Sequence, residues 1–243
     1  MKQVVIISGA ASGLGLSLTK KFLEQSDKVY GITKTKKNWN QLKKEIPNLE
    51  NLQLFQADIS KENAVKKFIS NVKKRSGRID ILINNAGYAN RPTRTEKESL
   101  AEFQKNISSN LLSVFLMCKY SLPIFQRQKN GTIINISSMA GKRAVPLLSA
   151  YSASKSGVVA LSQSIAKENS DNAFKCITVC PGGINTKMRA KLFGKEDAER
   201  QQSTDFVAEK IMEIVNGRIS VESGGDIVIR HGKITAVNPP PEP

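Results

Sequence analysis

The sequence has few of the residues from which disulfide frameworks and metal sites are built: three cysteines and one histidine among 243 residues. No two of the cysteines are spaced as a C-x-x-C pair, since they are Cys118, Cys176 and Cys180. Their odd number favours reduced thiols in a reducing compartment. We therefore expect a cytoplasmic protein. The single His231 cannot supply a histidine-based zinc site or the base of a Ser-His-Asp triad elsewhere in the chain, so we expect neither metal-assisted hydrolysis nor triad chemistry.

Long apolar runs and acidic residues are also scarce. The longest apolar run, residues 110–118, is far below the roughly 20 residues that cross a bilayer, and no membrane span is expected. The formal charge of +16, from 37 basic and 21 acidic residues, is compatible with a nucleic-acid partner. The cations are spread along the chain without a basic run or interleaved aromatics, which favours a solvated lysine-rich surface and no nucleic-acid binding.

What is present is a regular alternation of β-type and helical patterns. Continuous apolar runs favour strands buried on both faces, at residues 4–8, 28–33, 52–57, 79–83, 132–137, 175–180 and 226–229. Helical periodicity is found between them, including residues 14–25, 62–75, 100–126 and 152–168. The alternation predicts one α/β domain over residues 1–237, with a doubly wound parallel sheet of about seven strands and helices on both faces. Residues 238–243 are expected to form a loose, proline-rich tail.

A glycine-rich turn follows the first predicted strand. Residues 8–15 read S-G-A-A-S-G-L-G and lead into the first helix. Glycines let the backbone turn tightly and approach a pyrophosphate, and free N–H groups at a helix N-terminus bind its negative charge. Glycines also mark ordinary strand-to-helix turns, so the pattern alone is weak. Its position between a strand and a helix favours dinucleotide binding.

Further motifs follow this turn in a fixed order. They are Asp58 after the third strand, residues 84–87 (N-N-A-G) after the fourth, Asn110 in the next helix, residues 136–141 (I-S-S-M-A-G) at the end of the fifth strand, residues 151–155 (Y-S-A-S-K) at the start of a helix, and residues 181–186 (P-G-G-I-N-T) after the sixth strand. Together with the spacing G-x-x-x-G-x-G, this series resembles the short-chain dehydrogenase/reductase family. It is nearest to the 3-oxoacyl-[acyl-carrier-protein] reductase-like members. The resemblance implies a Rossmann-type fold and an oxidoreductase.

Tyr151 and Lys155 are four residues apart on a predicted helix, so their side chains share one face. A free phenol has a pKa of ~10, and an ammonium a few Å away favours the phenolate, which makes the pair a candidate general acid/base. From the spacing alone, a half-buried core phenol and an ordinary surface cation are favoured, because Tyr-x-x-x-Lys is common on helices. The resemblance reverses this preference.

The resemblance also implies a role for each catalytic residue. Tyr151 would exchange a proton with the substrate oxygen, and Lys155 would lower the pKa of Tyr151 and bind the nicotinamide ribose. Ser138 would hydrogen-bond the carbonyl oxygen, and a hydroxyl that caps a turn is the alternative. Asn110 would kink its helix and hold a water that relays protons through Lys155. An asparagine that bonds back to its own helix is the competing interpretation.

The resemblance further implies a lining for a nicotinamide cofactor. Asp58 would accept from the adenine amino group, or alternatively cap the following helix. Ile184 and Thr186 would hold the nicotinamide carboxamide. The predicted cofactor residues are Gly9, Ser12, Gly13, Leu14 and Gly15 at the phosphates, Lys34 and Asp58 near the adenosine end, Asn84, Ala86 and Gly87 along the adenosine ribose, Tyr151 and Lys155 at the nicotinamide ribose, and Pro181, Gly182, Ile184 and Thr186 near the nicotinamide.

Cofactor selectivity is expected at the end of the second strand. NAD sites usually place Asp or Glu there, whereas a 2′-phosphate requires cations. No acidic residue lies between Asp27 and Glu45, and Lys34 matches the arginine position of the family. The prediction is NADP(H) in preference to NAD(H). Ser12 is a departure, because NADP-dependent members often have a basic residue at that position.

The substrate is expected to be a small carbonyl compound or the matching alcohol. Four cations near the predicted site suit an anionic or carrier-linked substrate, or else face water: Arg91, Arg94, Lys142 and Arg143. Residues 185–203 are expected to form a mobile substrate flap. A catalytically silent NADP-binding regulator of the same fold and an NAD-dependent alcohol dehydrogenase are the alternative functions.

Assembly into a homodimer or homotetramer is expected from two apolar helices. In the family such helices form subunit contacts, and packing on the sheet explains part of the same pattern. The apolar residues are Leu111, Leu112, Phe115 and Leu116 on the first helix, and Val158, Val159, Leu161 and Ile165 on the second.

Overall fold

The computed structural model describes residues 2–46 and 49–241. The strands in these ranges are β1 (Val4–Ser8), β2 (Lys28–Thr33), β3 (Leu52–Gln56), β4 (Ile81–Asn84), β5 (Thr132–Ile136), β6 (Lys175–Pro181), β7 (Asp226–Arg230) and β8 (Lys233–Asn238). They form one sheet with the order β3-β2-β1-β4-β5-β6-β7-β8. All neighbouring pairs are parallel except β7 and β8, which are antiparallel.

Helices connect the strands and cover both faces of the sheet. They are α1 (Gly13–Glu24), α2 (Trp39–Glu45), α3 (Glu62–Ser76), α4 (Leu100–Asn106), α5 (Ser113–Gln128), α6 (Met139–Lys142), α7 (Ser149–Glu168), α8 (Lys187–Phe193), α9 (Lys195–Glu199) and α10 (Thr204–Val215). A short 3₁₀ turn covers Thr95–Lys97, and a π-helical turn, Ile107–Leu112, joins α4 to α5. The doubly wound α/β prediction is confirmed.

The alternation of side chains in β1 explains why both faces are covered. Val4 and Ile6 point into a core with residues of α3, α5 and α7, whereas Val5 and Ile7 point into a core with residues of α1 and α10. All five residues of the strand are buried. The continuous apolar run is therefore the pattern of a central parallel strand with a helical layer on each side.

The sheet of the described residues has eight strands rather than about seven. The strand that the sequence analysis missed is β8, an edge strand whose residues alternate between exposed and half-buried. Its signal lies in the turn before it: His231 and Gly232 have φ values of +52° and +68°, the backbone of a tight hairpin turn. β8 also includes Asn238, which the sequence analysis placed in the tail.

The segment Leu100–Gln128 is helical over 29 residues and is long and apolar enough, by length and composition alone, to cross a membrane. Its inner face lies on the sheet, where Val114, Met117 and Cys118 are buried in the core. Packing on the sheet accounts for this apolar face, as in the core helix of a globular protein. The π-helical turn contains Asn110, at the point where a helix bend was expected.

The strand order creates a crevice at one edge of the sheet. From β1 the chain moves outward through β2 to β3, and then crosses to β4 on the other side of β1. The loops that leave the carboxyl ends of β1 and β4 therefore diverge, which is where ligands bind in open α/β sheets. The predicted motifs at residues 8–15, 84–87, 136–141 and 181–186 all follow strands that end at this edge.

Candidate active site

The glycine-rich turn between β1 and α1 requires glycine for two different reasons. Gly9 and Gly13 have φ values of +70° and +52°, a left-handed conformation that disfavours side chains. Gly15 has ordinary helical geometry, but a Cβ there would lie 2.2 Å from the Gly9 carbonyl oxygen. The turn thus folds tightly back against the first turn of α1.

Ser8 and Asn85 hold this turn against the β4 loop, and the sequence analysis assigned neither a role. The Ser8 hydroxyl accepts hydrogen bonds from the backbone N–H groups of Asn85, at 2.9 Å, and Ala86, at 3.0 Å. The Asn85 side-chain amide donates to the Ser8 carbonyl oxygen at 2.9 Å. The only signal for these two residues in the sequence is that they lie within the predicted motifs at residues 8–15 and 84–87.

The side chain of Asn84 points into the protein interior. The residue is 2% exposed, and its side-chain amide donates to Asn135 Oδ1 at 2.8 Å. As the last residue of β4, Asn84 points into the layer between the sheet and α5, while the next residues turn toward the crevice. The side-chain amide of Asn84 is thus engaged inside the protein, and the lining of the adenosine ribose by Asn84 stays a prediction. Gly87 lies beside Lys155.

Ser138 and Tyr151 face each other at the carboxyl end of β5. Ser138 caps α6, because its Oγ accepts from the backbone N–H of Ala140 at 3.1 Å. Its own hydroxyl proton is then available to the phenol oxygen of Tyr151. Burial raises the pKa of Tyr151, and the hydrogen bond with Ser138 acts in the opposite direction. The turn-capping and catalytic interpretations of Ser138 are thus compatible.

Lys155 lies beneath this pair and is 3% exposed. Its Nζ donates to the carbonyl oxygen of Ile136 at 2.8 Å and is 5.9 Å from the centre of the Tyr151 ring. Burial lowers the pKa of Lys155 to about 8. The ammonium binds a strand carbonyl in this structure and burial is the larger influence on the phenol, so the lowering of the Tyr151 pKa by Lys155 stays a prediction.

Asn110 joins the helices to the loop after β4. Its Oδ1 accepts from Tyr88 N at 2.7 Å, and its Nδ2 donates to the Tyr88 carbonyl oxygen at 2.8 Å and to Ser154 Oγ at 2.9 Å. Ser154 donates in turn to the carbonyl oxygen of Tyr151 at 2.7 Å. Asn110 therefore bonds across to other elements rather than to its own helix. Ser154 was not singled out from the sequence, although it shares a helix face with Tyr151.

Lys34 and Asp58 meet at the far end of the crevice. Lys34 Nζ is 2.7 Å from Asp58 Oδ2, and its side chain is 72% exposed. Asp58 also accepts from Ser60 N at 3.1 Å and Ser60 Oγ at 2.7 Å, a local turn before α3. Burial raises the pKa of Asp58, but the hydrogen bonds from Lys34 and Ser60 outweigh it and leave the pKa below its usual value.

The loop after β6 closes the other side of the crevice. A Cβ on Gly13 would lie 3.4 Å from Thr186 Cγ2, so this loop approaches the glycine-rich turn. Thr186 caps α8 by accepting from Arg189 N at 3.1 Å. Ile184 pairs with Gln202 in an isolated bridge. Pro181 ends β6, and the N–H of Gly182 donates to the Ile229 carbonyl oxygen at 2.8 Å.

The family profile described as short chain dehydrogenase matches residues 3–197. This chain belongs to the short-chain dehydrogenase family. It is 30% identical to the 3-oxoacyl-[acyl-carrier-protein] reductase of Thermotoga maritima over 243 aligned residues, which cover 93% of this chain and 98% of that protein. The predicted family membership is confirmed, and the chain is an oxidoreductase of that family.

Solved structures of short-chain dehydrogenases share the whole fold. ElxO with NADP bound superposes with a TM-score of 0.85 at 27% identity, covering 94% of this chain and 97% of that one. The 3-ketoacyl-(acyl-carrier-protein) reductase from Brucella melitensis complexed with NADH gives a TM-score of 0.85 at 26% identity, covering 93% and 96%. The two relatives thus contain different nicotinamide nucleotides.

The residues of this short-chain dehydrogenase fit such a nucleotide. Ser12 is the N-cap residue of α1, yet its side chain makes no capping hydrogen bond, and the first turn of α1 contains no acidic residue. The N–H groups of Gly13, Leu14 and Gly15 are thus left to a phosphate at the positive end of the helix dipole. Within residues 2–46 and 49–241, no three His, Cys, Asp or Glu side chains lie together as metal ligands.

Proposed function

We propose that this protein is an NADP(H)-dependent carbonyl reductase in which Tyr151 is the general acid. The observation that carries the proposal is the placement of the Tyr151 ring beside a buried Lys155, whose Nζ lies 5.9 Å from the ring centre. These groups lie at the same sheet edge as a glycine turn suited to a pyrophosphate. The residues that would hold the nucleotide are Gly9, Gly13, Leu14 and Gly15 at its phosphates, and Lys155 at its ribose.

The reaction follows from the protonation states of these groups. When bound, the nicotinamide nucleotide would supply the hydride that the carbonyl carbon accepts. Tyr151 donates its phenolic proton to the carbonyl oxygen, and Ser138 donates a hydrogen bond to that oxygen as negative charge develops. The raised pKa of Tyr151 keeps the phenol protonated near neutral pH, as a proton donor requires. In the oxidative direction, Tyr151 must first lose this proton.

In this proposal, Lys155 helps to return a proton to Tyr151 after Tyr151 has given up its own. Its pKa of about 8 lies close to neutral pH, so the ammonium is able to give up a proton where an ordinary lysine is not. Gly87 borders both Lys155 and Asn110: a Cβ at Gly87 would lie 3.6 Å from Lys155 Nζ and 3.2 Å from Asn110 Oδ1. A water bound by Lys155 and Asn110 would complete the proton relay in this proposal.

An uncharged carbonyl substrate fits the site better than an anionic one. Of the four predicted cations near the mouth, Lys142 and Arg94 already have carboxylate partners, Asp226 and Glu96, with which an anionic substrate would have to compete. The flap, by contrast, exposes Met188 and Phe193. Its helices are joined by the bidentate pair of Arg189 with Asp197, at 2.5 and 3.0 Å.

The proposal is tested by incubating the protein with a panel of carbonyl compounds and either NADPH or NADH. We expect at least one uncharged ketone or aldehyde to be reduced, with NADPH as the preferred donor. Tight NADPH binding without turnover of any compound would instead indicate a silent regulatory protein. Equal affinity for both nucleotides would contradict the NADP(H) assignment.

Replacing Lys34 by alanine tests the basis of this preference. We expect the affinity for NADPH to fall about 10- to 100-fold, because a charge-assisted hydrogen bond to the 2′-phosphate is lost. The affinity for NADH should change little. Trp39, the only tryptophan, lies close to this region, since its Nε1 donates to Thr33 Oγ1 at 2.7 Å, and its fluorescence reports binding.

Lys43→Ala is the matched control for Lys34→Ala, because Lys43 is exposed on α2. The control should bind both nucleotides as the unmodified protein does. If Lys34→Ala weakened NADH and NADPH equally, Lys34 would act on the shared part of the nucleotide and not on the 2′-phosphate.

We also propose a homodimer formed through the outer face of α5. Leu112 and Phe115 are 38% and 42% exposed. Four of the other predicted interface residues lie in the core instead, because α5 and α7 turn them toward the sheet: Leu116, Val158, Val159 and Ile165. Only part of the apolar pattern is thus available to a second subunit.

Phe115→Glu is expected to convert the dimer into a monomer, because it places a charge in an apolar contact. Light scattering coupled to size exclusion measures the mass directly. Lys66→Glu, a charge change on the exposed side of α3, should leave the mass unchanged. A monomeric unmodified protein at micromolar concentration would refute the dimer.

A further inference from the structure

An ion pair between a buried aspartate and a partly exposed lysine lies next to α6, where none of the predicted roles requires one. Asp226 begins β7, and its side chain is 3% exposed. Its Oδ2 lies 2.6 Å from Lys142 Nζ, and its Oδ1 accepts from Asn238 Nδ2 at 2.9 Å. A buried carboxylate that loses a partner destabilises the folded protein strongly. Lys142 and Asn238 therefore both stabilise the buried Asp226 carboxylate. We refer to these three residues as the Asp226 cluster.

Lys142 is also the last residue of α6, the helix that carries Ser138 at its start. α6 contains only four residues, and Ser138 caps it through Ala140 N. One turn of helix has no stability of its own, so its tertiary contacts determine where it lies. The two ends are about 6 Å apart at 1.5 Å per residue, which makes Ser138 sensitive to the position of Lys142.

On its inner side, α6 packs backbone to backbone against α7. A Cβ on Gly141 would lie 2.7 Å from the Lys155 carbonyl oxygen, and Ser156 Oγ donates to the Gly141 carbonyl oxygen at 3.1 Å. α6 is therefore held between α7, which carries Tyr151, and the β7–β8 hairpin, which carries the Asp226 cluster. The hairpin contacts α6 at both of its ends: through Met139, which packs in one cluster with Val228 and Ala236, and through the Lys142 side chain.

We propose that Lys142 is a positioning residue: through its ion pair with Asp226 it holds α6 so that the Ser138 hydroxyl faces Tyr151. The β7–β8 hairpin thereby contributes to the geometry of the reaction without touching the substrate. This inference rests on the proposed function insofar as it predicts a change in turnover. The contact between Ser138 and Tyr151 can also be measured without turnover.

Lys142→Met is the variant that tests the proposal. We expect kcat to fall about 10- to 100-fold, as for a small displacement of a reacting group, while KM for NADPH stays within about twofold. The pKa of Tyr151, followed by NMR of ¹³Cζ-labelled tyrosine, should rise, because the hydrogen bond from Ser138 that lowers it is weakened. Lys142→Arg, which retains the ion pair, should restore both kcat and the Tyr151 pKa.

Two further variants exclude a general loss of folding. Lys233→Met removes an exposed lysine from the same hairpin and should change neither kcat nor the Tyr151 titration. Asn238→Ala removes one partner of Asp226 but keeps the ion pair, and should give a smaller change in the same direction as Lys142→Met. Thermal unfolding of each variant identifies a temperature at which all of them are folded. The values of kcat and the Tyr151 titrations are compared at that temperature.

The outcomes separate this inference from the proposed function. If folded Lys142→Met matched Lys233→Met in kcat and in the Tyr151 titration, the positioning role would be refuted. If Lys142→Met did not fold, an unchanged Tyr151 titration in Asn238→Ala would refute it equally. If the unmodified protein reduced no carbonyl compound, the proposed function would fail, and the Tyr151 titration of the variants would still decide the positioning role.

Discussion

Tyr151→Phe is expected to lower kcat by about 10²- to 10⁴-fold while nucleotide binding is retained. The substitution removes only the phenolic oxygen, and with it the proton donor for the carbonyl oxygen. The glycine-rich turn, Lys34 and Lys155 are unchanged, so Trp39 fluorescence should report the same affinity for NADPH. Stopped-flow and steady-state assays of carbonyl reduction provide the turnover numbers.

Tyr120→Phe is the matched control, because it removes a phenolic oxygen elsewhere in the same protein. Tyr120 OH donates to Glu62 Oε1 at 2.8 Å on the exposed side of α5. Its loss should leave kcat unchanged. Turnover by Tyr151→Phe at more than about a tenth of the original rate would show that another group donates the proton, in conflict with the expected contribution of a general acid.

Gly15→Ala is expected to destabilise the protein by about 2–3 kcal/mol and to abolish nucleotide binding at micromolar concentrations. Helix propensity alone predicts the opposite, since Ala is more favourable than Gly by about 1 kcal/mol inside a helix. The steric effect outweighs it, because the new Cβ would lie 2.2 Å from the Gly9 carbonyl oxygen and 2.6 Å from Asn85 Nδ2. Either the turn or the start of α1 must move, and the phosphate site moves with it.

Gly77→Ala separates this steric effect from the general cost of replacing a glycine. Gly77 has a φ of +70°, and a Cβ there would have nothing within 4 Å. The expected loss is about 1–2 kcal/mol from the left-handed backbone alone, with nucleotide binding unchanged. Chemical denaturation gives both stabilities. An increase in stability for Gly15→Ala would show that propensity dominates and that the turn accommodates a side chain.

The elements closest to the site were the easiest to predict. β1 and β2 have the predicted bounds, because their residues are apolar on both faces and end at glycine or at polar loops. Two of the elements that were not predicted, α2 and β8, have weaker patterns. α2 buries only Leu42 among lysines and other polar residues, and β8 lies at the sheet edge with one face in solvent. Patterns of apolar residues identify elements only where burial is extensive.

The surroundings of Tyr151 could not be predicted from its spacing to Lys155. A spacing of four residues correctly places Tyr151 and Lys155 on one helix face. It does not determine where the ammonium points or how much solvent each group loses. In the structure Lys155 binds the Ile136 carbonyl, and burial raises the pKa of the phenol. These are properties of the surrounding strands and not of the helix.

The amino-acid sequence by itself determined the order of strands and helices, the family, and the set of motifs that meet at the edge of the sheet. These depend on short-range patterns: apolar continuity, glycine placement and motif spacing. Only the tertiary structure decided which polar groups are free to act. Lys34 pairs with Asp58, Lys142 with Asp226, and Asn84 with Asn135, and each partner is more than 20 residues away. Such pairs form because burial makes an unpartnered charge or amide costly, and burial is a property of the folded chain.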